Sequence, residues 1–552
     1  MQEQSLPAKN EGSAEPQHRP WRWLALAFLA LSLLVAVGVR VRLLDFPLER
    51  DEGEYAYMGQ LMLEGHPPYQ LACNMKMPGI YLAYAAIMAV FGQTPAGIHL
   101  GLLVLVLATL VMFFFIARKL FDTYGAAIAT AAYALLTLSP SYLGLQAHAT
   151  HFVMLPALLG VWMLFRISKN GSLLDCLASG CFFGIAFLMK QPGMSFGIFG
   201  GLYLVWGFVR GKMACQPMLL RLCLYSAGCA IPFFAVCLWL EIAGVFPQFW
   251  FWTITYPREY ATVIPLNFGI KNAEVAFGKI FHSAPCLYVI AGLGVACLCV
   301  RRLAWDRRLF FAGFLVFSWL AVCPGLYFRE HYFLLFVPAV ALLAGLAVSW
   351  GSQLSAKHSA PWLAHLIFLM AAVACAQSLY ADRAVLFSLS PSEACRAVYG
   401  INPFPESLDI ASYIEKNTRK DQRIAILGDE PQICFYSHRH SCFTQMYPSQ
   451  TMDLRPYAAE MQKKIIREIE QNPPEYLVLS TVPASWMVRP GSDCLLFTWM
   501  GRYLDENMQL VGLIQFTGPR TTETVWGPGA TTTPLTSQYC ISVFKRVVSH
   551  QR

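Results

Sequence analysis

The chain repeats one pattern: apolar runs long enough to cross a bilayer, joined by loops of which every second one gathers Lys or Arg. The first such run, WLALAFLALSLLVAVGV, follows Arg19 and Arg22. A helix needs about 20 apolar residues to cross ~30 Å of hydrocarbon. Lipid satisfies no backbone hydrogen bond, so spanning segments must be helices or a closed barrel. Further runs lie near 97–117, 124–143, 149–166, 174–190, 193–209, 220–243, 284–300, 309–325, 332–350 and 361–380. Charged residues make up only 13% of the chain, against about 25% in a soluble domain. The net charge of +8 therefore reports membrane topology and does not point to a nucleic-acid partner. Most of the 17 cysteines lie in apolar runs, where Cys acts as a small hydrophobe, and no CxxC pair has metal spacing.

Basic clusters set the orientation. Arg118-Lys119, Arg166 with Lys169, Arg210 with Lys212 and Arg221, Arg301-Arg302 with Arg307-Arg308, and Lys357 fall in every second loop. The positive-inside rule then gives about 11 spans, with the N-terminus cytoplasmic and the C-terminus outside. The alternation requires that PGIYLAYAAIMAVF (78–91) does not cross. At about 14 residues it is short for a span and reads as an interfacial or re-entrant helix. The loop 40–96 is then wholly extracytoplasmic, as is a second long, aromatic loop at 244–283. Residues 1–20 are polar and read as a disordered cytoplasmic tail, and the membrane domain runs over 21–380.

From residue 381 the apolar runs shorten. RIAILGD (423–429), YLVLST (476–481) and YCISVFKRV (539–547) read as strands. SLDIASYIEKNTR and DLRPYAAEMQKKIIREIEQN read as amphipathic helices, opening on the capping residues Ser407 and Asp453. The segment 381–552 is thus predicted to be an extracytoplasmic α/β domain. It holds Cys395, Cys434, Cys442, Cys494 and Cys540, whose pairing the spacing leaves open.

The outer face collects an unusual set of ionisable groups. Lys190 sits in the turn LMKQPG, and Arg329 also lies on the side where the positive-inside rule disfavours cations. With Lys76 and Arg258 they suggest an anionic ligand, and phosphate suits Lys and Arg. Asp51 and Glu52 follow the first span closely. A carboxylate held at an apolar boundary can act as a general base, whereas Glu54 reads as part of a solvated face. Tyr55, Tyr256, His331 and Tyr332 complete a candidate substrate lining. His148 and His151, spaced i, i+3, read as a hydrogen-bonded pair; two ligands fall short of a zinc site. A divalent cation beside Asp51 and Glu52 stays open. The sequence contains no GxGxxG, no Walker loop and no Ser/His/Asp signature.

The order of motifs in the first outer loop resembles a known family. DEGEY (51–55) follows the first span, then come Gly-x-Pro-Pro-Tyr (65–69), Lys76-Met77-Pro78 and an aromatic helix ending in Phe91-Gly92. This is similar to the GT-C glycosyltransferases of the protein O-mannosyltransferase and aminoarabinose-transferase type, the glycosyltransferase family 39-like and RgtA/B/C/D-like proteins, over about residues 22–350. The resemblance implies an inverting transferase in the cytoplasmic (inner) membrane. Its donor would be a polyprenyl-phosphate-linked sugar, and its acceptor an extracytoplasmic glycolipid, polysaccharide or protein. It assigns Asp51 as the catalytic carboxylate and Lys76 as the lysine meeting the donor phosphate. Lys190, Arg258 and Tyr332 would be further donor contacts. Two departures stand out: Met77 separates the lysine from its proline, and His151 stands where relatives carry an acid.

Two other classes compete with this reading. A transporter or flippase for an anionic lipid would also gather outer cations, but the spans show no intramembrane charge chain and no inverted repeat. A non-catalytic scaffold presenting the C-terminal domain would not need the Asp51 carboxylate.

Overall fold

The computed structural model describes residues 19–170, 172–207, 209–210, 215–300 and 303–547. Of the tail expected over 1–20, residues 1–18 lie outside the described residues, and Arg19 and Pro20 already open the first helix, Arg19–Arg42. Each segment read as a span contains a helix among its described residues, but the helices differ in reach. Among the described residues six are long and apolar enough to cross a membrane: Arg22–Arg42, Pro95–Leu120, Ala149–Ser168, Met218–Ile242, Val337–Lys357 and Trp362–Ala381. Helices Leu266–Ser283 and Pro285–Leu298 together make a seventh candidate, bent by 107°. Thr123–Leu136 has 14 residues and a length of about 21 Å at 1.5 Å per residue, and Leu173–Met189 is also short.

Pro78–Phe91 is a 14-residue helix that opens on Pro78, where a missing N–H costs nothing. It packs between helices Arg50–Leu63 and Pro95–Leu120. At its start Gly79 lies against the backbone of Leu188, where an added Cβ would sit 2.5 Å from the carbonyl oxygen. That close approach brings Lys76 and Lys190, which flank the two touching segments, into one neighbourhood.

The C-terminal domain is built on a five-stranded sheet of order β1-β2-β5-β3-β4. Its strands are β1 (Ile424–Leu427), β2 (Tyr476–Ser480), β3 (Met508–Phe516), β4 (Thr522–Trp526) and β5 (Cys540–Arg546). β1 and β2 are parallel, joined through helix Pro456–Gln471, which is the α/β unit expected from the sequence. β3 and β4 were not legible in advance. β3 contains Gly512 beside a register shift, which breaks the alternation of side chains. The expected caps differ too. Helix Glu406–Lys416 begins after Pro405 with no side-chain cap, so Ser407 lies inside it and donates to the Pro403 carbonyl. Helix Pro456–Gln471 begins after Arg455, because Asp453 is committed to Tyr256 and Arg489. Cys395, Cys434, Cys442, Cys494 and Cys540 are all free thiols, Cys494 exposed and the others buried.

Helix Arg50–Leu63 joins the two halves. Its start carries a capping box between Glu49 and Glu52, two partners satisfying each other's backbone donors. One face packs Tyr55 against Tyr81 and Tyr84 of the membrane half. The other meets the soluble domain. Gly53 lies so close to Gln432 that a Cβ would sit 2.7 Å from its backbone nitrogen. The Ser441 amide donates to the Tyr57 hydroxyl at 2.8 Å, and the Leu48 amide to the Tyr436 hydroxyl at 2.8 Å.

Candidate active site between the membrane half and the soluble domain

Asp51 and Lys76 are 25 residues apart in sequence and meet in space. Helix Arg50–Leu63 presents Asp51 in its first turn, and the loop after it returns Lys76 to the same place. Lys76 Nζ donates to Asp51 Oδ1 at 2.9 Å, and the Tyr69 hydroxyl holds the Lys76 carbonyl at 2.7 Å. Both charged groups keep about 15% of their side-chain surface open to a cavity of about 630 Å³. The membrane half supplies Lys76, His148, Tyr260, Lys279, Arg329 and Tyr332 to its wall; the soluble domain supplies Asn402, Asp429, Tyr447, Ser449 and Gln450.

The electrostatics favour an ionised carboxylate. Burial alone pushes the Asp51 carboxyl up, but the Lys76 charge outweighs it and holds it well below the usual carboxylate value. Burial likewise opposes the Lys76 charge, and Asp51 and Glu54 more than restore it. His331 lies 3.9 Å from Asp51 Oδ2. Its ring stacks on His148 at 4.2 Å between centroids and 12° between planes. Burial keeps both imidazoles neutral, with His148 pushed down to about 4.

The structure separates the sequence candidates into three groups. Asp51, Lys76, Arg329, His331 and Tyr332 come together at the cavity. Tyr55 and Lys190 lie just behind it: the Lys76 ammonium is 5.5 Å from the Tyr55 ring, and the Lys190 ammonium sits 4.3 Å over the Tyr332 ring. Arg258 is exposed, outside the lining, and buried Tyr256 is turned to Asp453 at 3.2 Å. Glu52 is fully buried and structural in its contacts. Its Oε1 accepts from the Ala147 amide at 2.6 Å and faces His99 at 3.0 Å, and its Oε2 accepts from the Glu49 amide at 3.2 Å.

Two readings of single residues are corrected. Glu54 is fully buried, not solvated. Tyr81 and Asn74 each donate to it at 2.6 Å, and burial pushes its carboxyl up to about 7. His148 and His151 are joined through the backbone, the His151 amide donating to the His148 carbonyl at 3.0 Å, but their rings part: helix Ala149–Asn170 begins just after His148, and the His148 ring stacks on His331. His151 faces the Gly144 carbonyl at 2.9 Å. The soluble-domain residues were missed altogether. The one sequence signal is that RIAILGD ends at Asp429, at the carboxyl end of a parallel strand, where ligands of α/β sheets collect.

Residues 74–239 match the family described as dolichyl-phosphate-mannose-protein mannosyltransferase. The matched segment contains Lys76, His148 and Lys190 and begins after Asp51. No curated protein sequence matches the chain. Among solved structures, ArnT from Cupriavidus metallidurans, bound to undecaprenyl phosphate, is similar with a TM-score of 0.57 at 15% identity, over 96% of this chain and 99% of that one. The oligosaccharyltransferase of Archaeoglobus fulgidus, tethered to an acceptor peptide, is similar with a TM-score of 0.53 at 13% identity, over 97% of this chain and 77% of that one. Together with the family match, these likenesses give the chain the GT-C fold of the multi-pass membrane glycosyltransferases.

Proposed function

We propose that the protein moves a sugar from a polyprenyl-phosphate donor to an acceptor on the extracytoplasmic side of the cytoplasmic membrane, inverting the anomeric carbon. The observation that carries this reading is the Asp51–Lys76 pair in a cavity whose wall also carries Arg50 and Arg329. The acceptor hydroxyl or amine enters from the soluble-domain side and attacks C1. The bond from C1 to the phosphate oxygen breaks as the new bond forms. The acceptor proton passes to Asp51, and the polyprenyl phosphate leaves. Lys76 and Arg329 face the charge that grows on the leaving phosphate. Fixed cations aimed at a developing charge are a strong catalytic device. The undecaprenyl phosphate held by the ArnT structure supports the donor class.

The test is direct. The purified protein, given undecaprenyl-phosphate sugars and a membrane-envelope extract, should consume one of the donors and release undecaprenyl phosphate. An intact donor across a panel of hexoses and pentoses removes the reading.

A divalent cation would be held by Asp51, His148 and His331, whose ligand atoms lie within 4.8 Å of one another. Glu52 is not in that set. The residues fit: both His148 ring nitrogens are buried without a hydrogen-bond partner, and neutral imidazoles are competent ligands. Bound there, a cation would neutralise phosphate charge. Metal analysis of the purified protein checks this, and a content far below one equivalent removes it.

A further inference from the structure

The segment 444–450 of the soluble domain reaches into the centre described above. The Tyr447 hydroxyl lies 3.0 Å from Asp51 Oδ1 and 3.2 Å from the Arg50 carbonyl. The same short segment grips the loop that carries Lys76. The Cys73 amide donates to the Thr444 carbonyl at 2.7 Å, and the Met446 amide to the Cys73 carbonyl at 3.4 Å. The Gln450 side chain donates to Asn74 Oδ1 at 2.8 Å, while the Asn74 amide group donates to Glu54 at 2.6 Å. Asn74 Oδ1 also accepts from the Met75 amide at 2.7 Å. Asn74 is completely buried, so this chain of bonds has no water to replace it.

We infer that Tyr447 and Gln450 are positioning residues of the transfer centre: Tyr447 fixes the Asp51 carboxylate, and Gln450, through Asn74, fixes the loop that carries Lys76. This rests on the reading of Asp51 as the base. The geometry explains what the positioning achieves. Lys76 and Tyr447 both approach Oδ1, which leaves Oδ2 turned toward the stacked imidazoles and the cavity. A carboxylate held by two donors on one oxygen presents the other oxygen in a fixed direction, which is what a general base needs.

The segment is itself rigidly held. The Thr444 amide donates to Glu468 at 2.9 Å. The Ser449 amide donates to Asp429 at 3.0 Å, and its hydroxyl also reaches that carboxylate. Burial pushes the Asp429 carboxyl up to about 7. The soluble domain therefore does more than cover the cavity: it is built to hold these two side chains still.

The experiment compares Tyr447→Phe, Asp51→Asn and the double variant in full-length protein, reading kcat and donor KM separately. Tyr447→Phe keeps the ring and should lower kcat by ~10-fold or more, the scale of one hydrogen bond to a charged group, with donor KM unchanged. In the Asp51→Asn background the same change should cost nothing further. Gln450→Ala should instead raise donor KM. Wild-type kcat in Tyr447→Phe beside an inactive Asp51→Asn overturns the inference and leaves the base assignment standing. An equal loss in both backgrounds also overturns it. An active Asp51→Asn overturns the base assignment and this inference with it. Should Tyr447→Phe fail to fold, the Gln450→Ala split decides: an unchanged KM overturns the inference.

Discussion

Asp51→Asn is expected to slow sugar transfer severely and leave the protein folded. The amide oxygen can still accept from Lys76 and from Tyr447, as Oδ1 does in the wild type. What disappears is the negative charge and the capacity to take a proton. General-base catalysis is worth ~10²–10⁴-fold, so turnover should fall by at least ~100-fold. Gel-filtration profile and melting behaviour in detergent should stay near wild type, since the side chain keeps its shape. Turnover close to wild type in this variant would sink the assignment of Asp51.

Lys76→Met is expected to have a comparable effect by two routes that a pH profile separates. The ammonium that faces the leaving phosphate is gone, so donor KM should rise and kcat fall. The carboxylate also loses its main counter-charge. Burial pushes the Asp51 carboxyl up, and Lys76 is the first of the groups that bring it down. Without Lys76 its value rises, so the base is protonated over more of the acid range. The acid limb of kcat/KM should therefore move to higher pH, and some activity should return on the alkaline side. Lys76→Arg keeps the charge with a different shape and should lie between. A large loss of rate with an unmoved acid limb would mean that Lys76 meets the donor alone and does not set the state of Asp51.

The membrane half was legible because lipid imposes a coarse rule, that long apolar runs must be helices, and each expected segment contains a helix. The loop after the first helix was legible for a different reason: DEGEY and Lys76 belong to one contiguous stretch, so their motif survives in linear order. The rest of the centre has no such order. Tyr447, Ser449 and Gln450 come from QMYPSQTMD, which carries no periodicity and no charge pattern, and it meets Asp51 and Asn74 only through a fold that closes nearly 400 residues apart in sequence. Glu54 was misread because an acid among acids in a loop usually stays wet. Its burial follows from Tyr81 and Asn74, two donors that sequence proximity does not single out. His148 was misread by one residue of helix register.

The glycine at position 53 has a consequence for how such proteins can be taken apart. Helix Arg50–Leu63 has no spare thickness where it meets Gln432, and Tyr57 and Leu48 are bonded across the same seam. Helix Arg50–Leu63 therefore belongs structurally to the soluble domain as much as to the membrane half, although most of the membrane helices lie between Gly53 and Gln432 in the chain. A chimera that takes its tail from one relative and its loop from another breaks this seam at every contact. The unit of exchange in this architecture is the loop and the tail together.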